Sequence, residues 1–328
     1  MRPKTICLIA ALLLIFVTAC SMPRIRLFTD AADPLKEYTL EGSGSDKILL
    51  VSVQGTISDA PQKGLVRSSP SIVQQVVAQL KKAERDKRIR AVLFKINSPG
   101  GTIIASDILY HEISSYQAKT GAKIIVSMMD VAASGAYYMS LPADLIMAHP
   151  TTITGSIGVI FLRPRVGALM DKIGLSVDVI KFGRNKDMGS PFRNSTEEEQ
   201  NIMQKTVNDF GARFLRLVQK HRKLNEGALG EISTARVFTA DEALKLGLVD
   251  KIGYIGDAVK EAKALAGLAE DAQVVVYRQT RFPDDNYYNA SGSLLEDEQR
   301  PLINLTLPDS FNLHAGFYYL WPLAIAAE

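Results

Sequence analysis

Apolar positions in this chain follow two rhythms that trade places from Lys47 onward. Short, almost wholly apolar runs have the length of strands buried on both faces, and the stretches between them carry apolar residues three or four apart, as one face of a helix does. KILLVSVQGTI (47–57) and AVLFKINSPGG (91–101) are predicted strands, separated by SPSIVQQVVAQLKKAERDKRI (69–89), a helix that starts at Ser69 or Ser71. A helix from Ile103 to Ala118, a strand from Lys123 to Met129 and a helix starting near Ser134 follow. VDVIKFGRNK (177–186) reads as a further strand. In TEEEQNIMQKTVNDFGARFLRLVQKHRK (196–223), Thr196 and Glu199 stand three apart as a capping box, and Met203, Val207, Phe210, Phe214 and Leu217 share one face as a packing stripe. ADEALKLGLVDKIG (240–253), a helix from Asp257 to Ala266 and a strand in AQVVVYRQ (272–279) close the pattern. Repeated strand-helix units with apolar strands specify an α/β fold with parallel pairing and helical crossovers, and no internal repeat is present, so the domain occurs once.

The two ends break this rhythm. Residues 1–20, MRPKTICLIAALLLIFVTAC, place Arg2 and Lys4 before an uncharged stretch from Thr5 to Ala19. Such a stretch spans about 22 Å as a helix, short of the roughly 30 Å hydrocarbon core, and fits an export signal. VTAC resembles a bacterial lipobox, which makes Cys20 a lipidated first mature residue; the other reading is an uncleaved signal anchor. Either way the expectation is a bacterial cell-envelope protein tethered to a membrane, with its catalytic part outside the cytoplasm, on the periplasmic side. Residues 21–46 lack periodicity and read as a linker, 47–279 form the domain, and 280–328 read as a flexible polar segment followed by an apolar tail. That tail, FNLHAGFYYLWPLAIAA, is broken by Pro322 and is expected to dock on the protein's own body or on another subunit.

Composition removes several functions. The 328 residues are 47% apolar, enough for one large core, and 38 basic against 35 acidic side chains give +3 without a basic cluster, so nucleic acid is not an expected partner. Both cysteines, Cys7 and Cys20, precede the domain, which leaves it no thiol nucleophile or disulfide. His111, His149, His221 and His314 are scattered without ligand spacing, and no metal is expected.

Ser134, in VAASGAYYMS, follows an apolar run and opens a helical stretch. Its residue type alone favours a helix N-cap. A nucleophilic serine needs a base and an oxyanion site in addition. INSPGG, with Gly100 and Gly101 where a strand turns into a helix, can bring backbone N–H groups to a substrate oxygen, or can merely relieve a tight turn. The histidines are poorly placed for a base, which leaves a lysine. At the ordinary lysine pKa of about 10.4 the neutral form costs about 4.6 kcal/mol at pH 7, so such a base must be desolvated.

INSPGG, SGAYY, TTITGSIGVI and RNKDMGSPFR, in this order and with FTADEALKLGLVDKIG after them, resemble the signal peptide peptidase A family, membrane-associated serine proteases with a Ser-Lys dyad, over Lys47 to Leu268. The resemblance implies the short, single-repeat form and a Clp protease/crotonase-like spiral of βαβ units. Residue by residue it implies Ser134 as nucleophile, Lys186 as general base, Ser156 as the hydroxyl that positions the lysine, and Gly101 as an oxyanion donor; Gly135 is a second candidate donor from geometry. Lys95 and Lys181, the competing lysines, are expected to be structural. The family further implies no cofactor, peptide substrates such as remnant signal peptides or other apolar segments, and a homo-oligomeric ring in which serine and lysine can come from neighbouring subunits. Two other readings use the same fold: a non-catalytic lipoprotein scaffold and, less in keeping with an export signal, an acyl-CoA-processing enzyme.

Overall fold

The computed structural model describes residues 34–63, 68–289 and 315–322. The expected signal sequence with Cys20, the first part of the expected linker and most of the apolar tail lie outside the described residues. Strands β1 (Lys36–Glu41), β2 (Lys47–Gln54), β3 (Gln62–Lys63) and β4 (Ser68–Ser69) precede helix α1 (Ile72–Ala83). Then come β5 (Ile89–Ser98), β6 (Gly100–Thr102), α2 (Ile103–Thr120), β7 (Lys123–Ala133), α3 (Gly135–Ser140), β8 (Leu145–Ala148), β9 (Ile153–Gly155) and β10 (Ile160–Leu162). Helices α4 (Gly167–Lys172), α5 (Glu197–His221) and α6 (Glu226–Ser233) lead to β11 (Val237–Thr239), α7 (Ala240–Lys245), β12 (Lys251–Ile252), α8 (Ile255–Ala266), β13 (Gln273–Arg278) and β14 (Gly316–Leu320).

The main sheet runs β1-β13-β2-β5-β7-β8-β12, with β9 paired to the end of β7 and β11 to β9. Its centre is parallel, and only β1 on β13 and β11 on β9 run antiparallel. Because both faces are covered, the two side-chain sets of one strand enter different cores. Leu49, Val51 and Val53 of β2 pack with Val76 and Leu80 of α1 and Leu109 and Ile113 of α2. Ile48 and Leu50 pack on the opposite face with Ala258, Val259 and Ala262 of α8. Each fully buried aliphatic side chain contributes ~1.5–3 kcal/mol, so these two layers, far more than the two-residue pair β3–β4, hold the domain.

Local signals set the helix starts. Ser71 accepts from the Gln74 amide at 3.1 Å while Gln74 Oε1 accepts from the Ser71 amide at 3.0 Å, so α1 begins after Ser71 and not after Ser69. The same reciprocal box joins Thr196 and Glu199 at the head of α5.

Three stretches differ from expectation. β1 lies within the stretch read as a linker, and Glu37 bonds the buried Lys47 Nζ at 2.6 Å, which draws it onto the sheet. VDVIKFGRNK is not a strand: it has no pairing partner among the described residues, its second half turns with the Lys186 N–H donating to Gly183 O at 3.2 Å, and Ile180 and Phe182 are fully exposed. Without a ladder to satisfy its N–H and C=O groups, alternation alone does not make a strand. Residues 280–289, read as flexible, are tied down, with Lys95 Nζ donating to the carbonyl oxygens of Tyr287 and Asn289 at 2.9 and 3.1 Å. Part of the apolar tail docks on the protein's own body as β14, the middle strand of a second sheet ordered β10-β14-β6.

Candidate active site

The parallel strands β5 and β7 end side by side, and their ends carry the candidate chemistry. Ser134 lies between β7 and α3 at φ 54°, ψ −113°, a backbone region that costs a non-glycine residue about 1–3 kcal/mol. Two hydrogen bonds hold it there: its N–H donates to Gly155 O at 2.7 Å, and its carbonyl accepts from the Tyr138 N–H at 2.9 Å. Ser134 occupies the N-cap position of α3, yet its hydroxyl makes no capping bond. The side chain is fully buried and Oγ has no hydrogen-bond partner among the described residues. Since buried hydroxyls are nearly always paired, the capping role suggested by residue type gives way to a hydroxyl held in reserve.

Three glycine backbones converge on it. Gly100 adopts φ 98°, and a Cβ there would stand 2.7 Å from the Gly135 amide nitrogen; a Cβ on Gly135 would stand 3.1 Å from the Gly101 amide nitrogen. Any side chain would fill this space, which is what a backbone oxyanion site requires. Gly100 itself is not a donor, contrary to expectation: its N–H donates to Ser98 Oγ at 3.1 Å, and its carbonyl accepts from Ile57 at 2.8 Å. Gly101 and Gly135 remain.

Ser156 follows Gly155, is buried, and has φ 50°, with its N–H donating to Arg236 O at 2.9 Å. It therefore joins Ser134 through the intervening Gly155. Lys186 does not join them: its side chain is exposed, and Ser134 Oγ bonds to nothing. Its neighbour Asp187 pairs with Lys181 and with Arg193 at 2.8 Å, and Arg193 continues to Glu199 at 3.0 Å. The Arg193 guanidinium holds the Glu199 carboxyl down at about 2 and Asp187 well below the usual carboxylate range. Lys181 is thus an ion-pair partner, while burial lowers Lys95 to about 8 as it holds the carbonyls of Tyr287 and Asn289. Among the described residues no histidine bonds Ser134; His221 bonds the Tyr110 hydroxyl at 2.8 Å and His149 bonds Thr151 at 2.9 Å.

Sequence reading missed an aromatic wall beside the glycines. Tyr138 stacks on Tyr319 of β14 with ring centroids 5.0 Å apart, and Phe214 of α5 meets both rings at 4.9 and 4.8 Å. The Tyr138 hydroxyl donates to Asp107 at 2.6 Å, and Arg213 pairs with the same carboxylate at 2.6 Å. Burial opposes ionisation of Asp107, but the bonds from Arg213 and Tyr138 outweigh it and hold the carboxyl below its ordinary value. The available signal was the Phe210–Phe214 spacing on α5, which does pack, but partly against the tail.

With this geometry in view, comparisons place the chain. The model of peptidase family S49 matches residues 116–269. A protein of Enterococcus faecium that carries the name signal peptide peptidase SppA is 35% identical over 253 residues, which cover 77% of this chain and 73% of that protein. Protease 4 of Haemophilus influenzae is 34% identical over 272 residues, 83% of this chain but 42% of the longer relative. Among solved structures, the 1510-N membrane-bound stomatin-specific protease matches 67% of this chain and 86% of its own at 20% identity, with a TM-score of 0.43.

Proposed function

The chain belongs to the signal peptide peptidase A family, peptidase family S49, and is a serine peptidase; from that premise we propose that Ser134 is its nucleophile and Lys186 its general base, in a membrane-tethered endopeptidase for extended, apolar peptides. The observation that carries the reading is the buried, unpartnered Ser134 hydroxyl beside the amides of Gly101 and Gly135. Neutral Lys186 takes the Ser134 proton as Oγ attacks a peptide carbonyl carbon. The amides of Gly101 and Gly135 hold the resulting oxyanion, and the protonated lysine hands its proton to the leaving amine. Water then hydrolyses the ester with the same lysine as base, and the Ser156 hydroxyl orients the lysine. No cofactor enters these steps.

In this reading Lys186 reaches a Ser134 of a neighbouring copy, in a homo-oligomeric ring. The exposed apolar run that precedes it, Ile173, Leu175, Val177, Val179, Ile180 and Phe182, supports this, because one interface would cover those side chains and desolvate the lysine together. Lipidated Cys20 would tether the ring to the membrane on the periplasmic side, where remnant signal peptides and misfolded membrane-protein fragments are the substrates. Among the described residues no helix is long and apolar enough to cross a membrane.

The test is cleavage of an apolar signal-sequence peptide by the full chain, with Ser134→Ala and Lys186→Met compared at equal oligomer content. Both substitutions are expected to lower kcat at least about 10³-fold. Undiminished cleavage by either variant would reject the dyad.

A further inference from the structure

The candidate oxyanion site is assembled from two separate pieces of chain. Gly101 stands one residue before Thr102, which caps α2 by accepting from the Ala105 amide at 3.2 Å. Ser134 and Gly135 stand at the head of α3, a helix of only six residues. So short a helix has little stability of its own, and the costly backbone conformation of Ser134 persists only where its surroundings impose it. Tyr138 closes that turn through its N–H, which donates to the Ser134 carbonyl at 2.9 Å. The spacing of the two amide donors therefore depends on how α2 and α3 are held against each other.

At the glycines the two pieces lie directly against each other: a Cβ on Gly135 would stand 2.3 Å from Ser106 Oγ of α2 and 3.1 Å from the Gly101 amide nitrogen. Ser106 does not reach across, because its hydroxyl donates to Thr102 O at 2.9 Å within its own helix. The next residue does. Asp107 Oδ1 accepts from the Tyr138 hydroxyl at 2.6 Å, the one side-chain hydrogen bond between α2 and α3 among the described residues. Arg213 of α5 donates to the same oxygen at 2.6 Å, and the Tyr110 ring meets the Tyr138 ring edge-on at 5.6 Å. Tyr138 is thus fixed at both ends: its backbone holds Ser134, and its phenol is held by α2.

We propose that Asp107 is a positioning residue: by holding the Tyr138 hydroxyl it sets α3 against α2, and so fixes the spacing of the Gly101 and Gly135 amides and the pose of the Ser134 hydroxyl beside them. The proposal rests on the active-site reading above. A carboxylate suits the role because it accepts from Tyr138 and from Arg213 at once, and a charged acceptor makes the stronger bond. Tyr138 is fully buried, so without Asp107 its phenol has no acceptor in place. Arg213 carries the restraint on to α5, which braces the Ser134 turn from a second helix. Small displacements of amide donors matter most where negative charge develops, so the loss falls on the transition state and not on the binding of substrate.

The test uses the full chain and separates turnover from binding. Asp107→Ala and Tyr138→Phe delete the bond from either side, while Asp107→Asn keeps an acceptor oxygen for Tyr138. On an apolar signal-sequence peptide each deletion is expected to lower kcat about 10–100-fold with KM within about threefold, the loss that misplaced catalytic groups produce. Asp107→Asn is expected to stay within about fivefold of the wild-type kcat, since a neutral bond keeps roughly half the strength of the charged one. A kcat unchanged by either deletion overturns the role. Because both residues act through one bond, the double variant Asp107→Ala/Tyr138→Phe is expected to be no slower than the slower single variant, and fully additive losses overturn the proposal. A peptide aldehyde, whose carbonyl oxygen enters the oxyanion site once Ser134 adds to it, is compared with the matching peptide alcohol, which cannot react. Asp107→Ala is expected to weaken the aldehyde at least about 10-fold and the alcohol less than about twofold; equal losses for the two would mark a merely structural residue. An aldehyde without effect on the wild-type chain would reject the serine reading itself, whereas equal inhibition of wild type and Asp107→Ala rejects the positioning role alone.

Discussion

The amide of Ser134 donates to the carbonyl oxygen of Gly155 at 2.7 Å, so the nucleophile candidate is anchored to the residue immediately before Ser156. Both serines sit at positive φ, 54° and 50°, and Gly155 between their attachments sits at 89°. A side chain at Gly155 would meet the Phe238 ring and would stand 3.0 Å from the Arg236 carbonyl oxygen. Gly155→Ala is therefore expected to cost about 1–3 kcal/mol of stability and to lower peptide cleavage more than stability alone explains. Thermal unfolding and kcat measured on the folded fraction separate the two effects.

Mixing is a direct test of where Lys186 acts. If serine and lysine come from neighbouring copies, inactive Ser134→Ala and inactive Lys186→Met chains co-assembled at equal amounts regain about a quarter of wild-type activity, since each intact site needs one copy of each kind. If both residues come from one chain, the mixture stays dead.

The competing lysines give a sharper control. Lys95 supports the backbone of residues 287–289 and Lys181 pairs with Asp187, so neither has a free proton-transfer role. Lys95→Met and Lys181→Met are expected to retain cleavage within about threefold, an effect of the size surface and tethering changes produce. Loss of activity in Lys95→Met comparable to Lys186→Met would transfer the base to Lys95.

Acid should loosen the segment around Lys186 before the sheet. Glu199 is held at about 2 against an ordinary value of 4.5, so the native state binds its proton later than the unfolded state does. A depressed carboxyl stabilises fully above the ordinary value and loses that contribution as pH falls from there toward about 2. Asp187 shifts in the same direction through the same Arg193. Amide hydrogen exchange between pH 5 and 2.5 is expected to accelerate in residues 181–199 ahead of β2, β5 and β7, with Arg193→Met abolishing the difference.

Which parts were legible depends on how far the responsible contact lies along the chain. The α/β alternation, the capping boxes at Ser71 and Thr196 and the glycine turn before α2 are written within a few residues of where they act. Ser134 was ambiguous because a cap and a nucleophile use the same hydroxyl at the same kind of turn, and only its missing capping bond separates them. Gly100 and Gly101 look alike in sequence; a serine two residues upstream of Gly100 takes its N–H and leaves Gly101 as the candidate donor. β14 was hidden because its partners, β6 and β10, lie more than 150 residues away and no local pattern names them. VDVIKFGRNK misled for the opposite reason, since its alternation is a strand signal and the described chain offers it no neighbour.

In the proposed reading, the second sheet also sets what kind of polypeptide could enter. With its middle strand withdrawn, β6 and β10 present facing edges separated by one strand's width, and that slot can be filled only by main chain whose own N–H and C=O groups are unspoken for. A residue in a helix, or inside another sheet, has already committed those groups. A slot of that kind would sort polypeptides by conformational state before any side chain is read: a folded chain would be passed over, and a segment that has lost its fold, or never had one, would be eligible by its extended backbone alone.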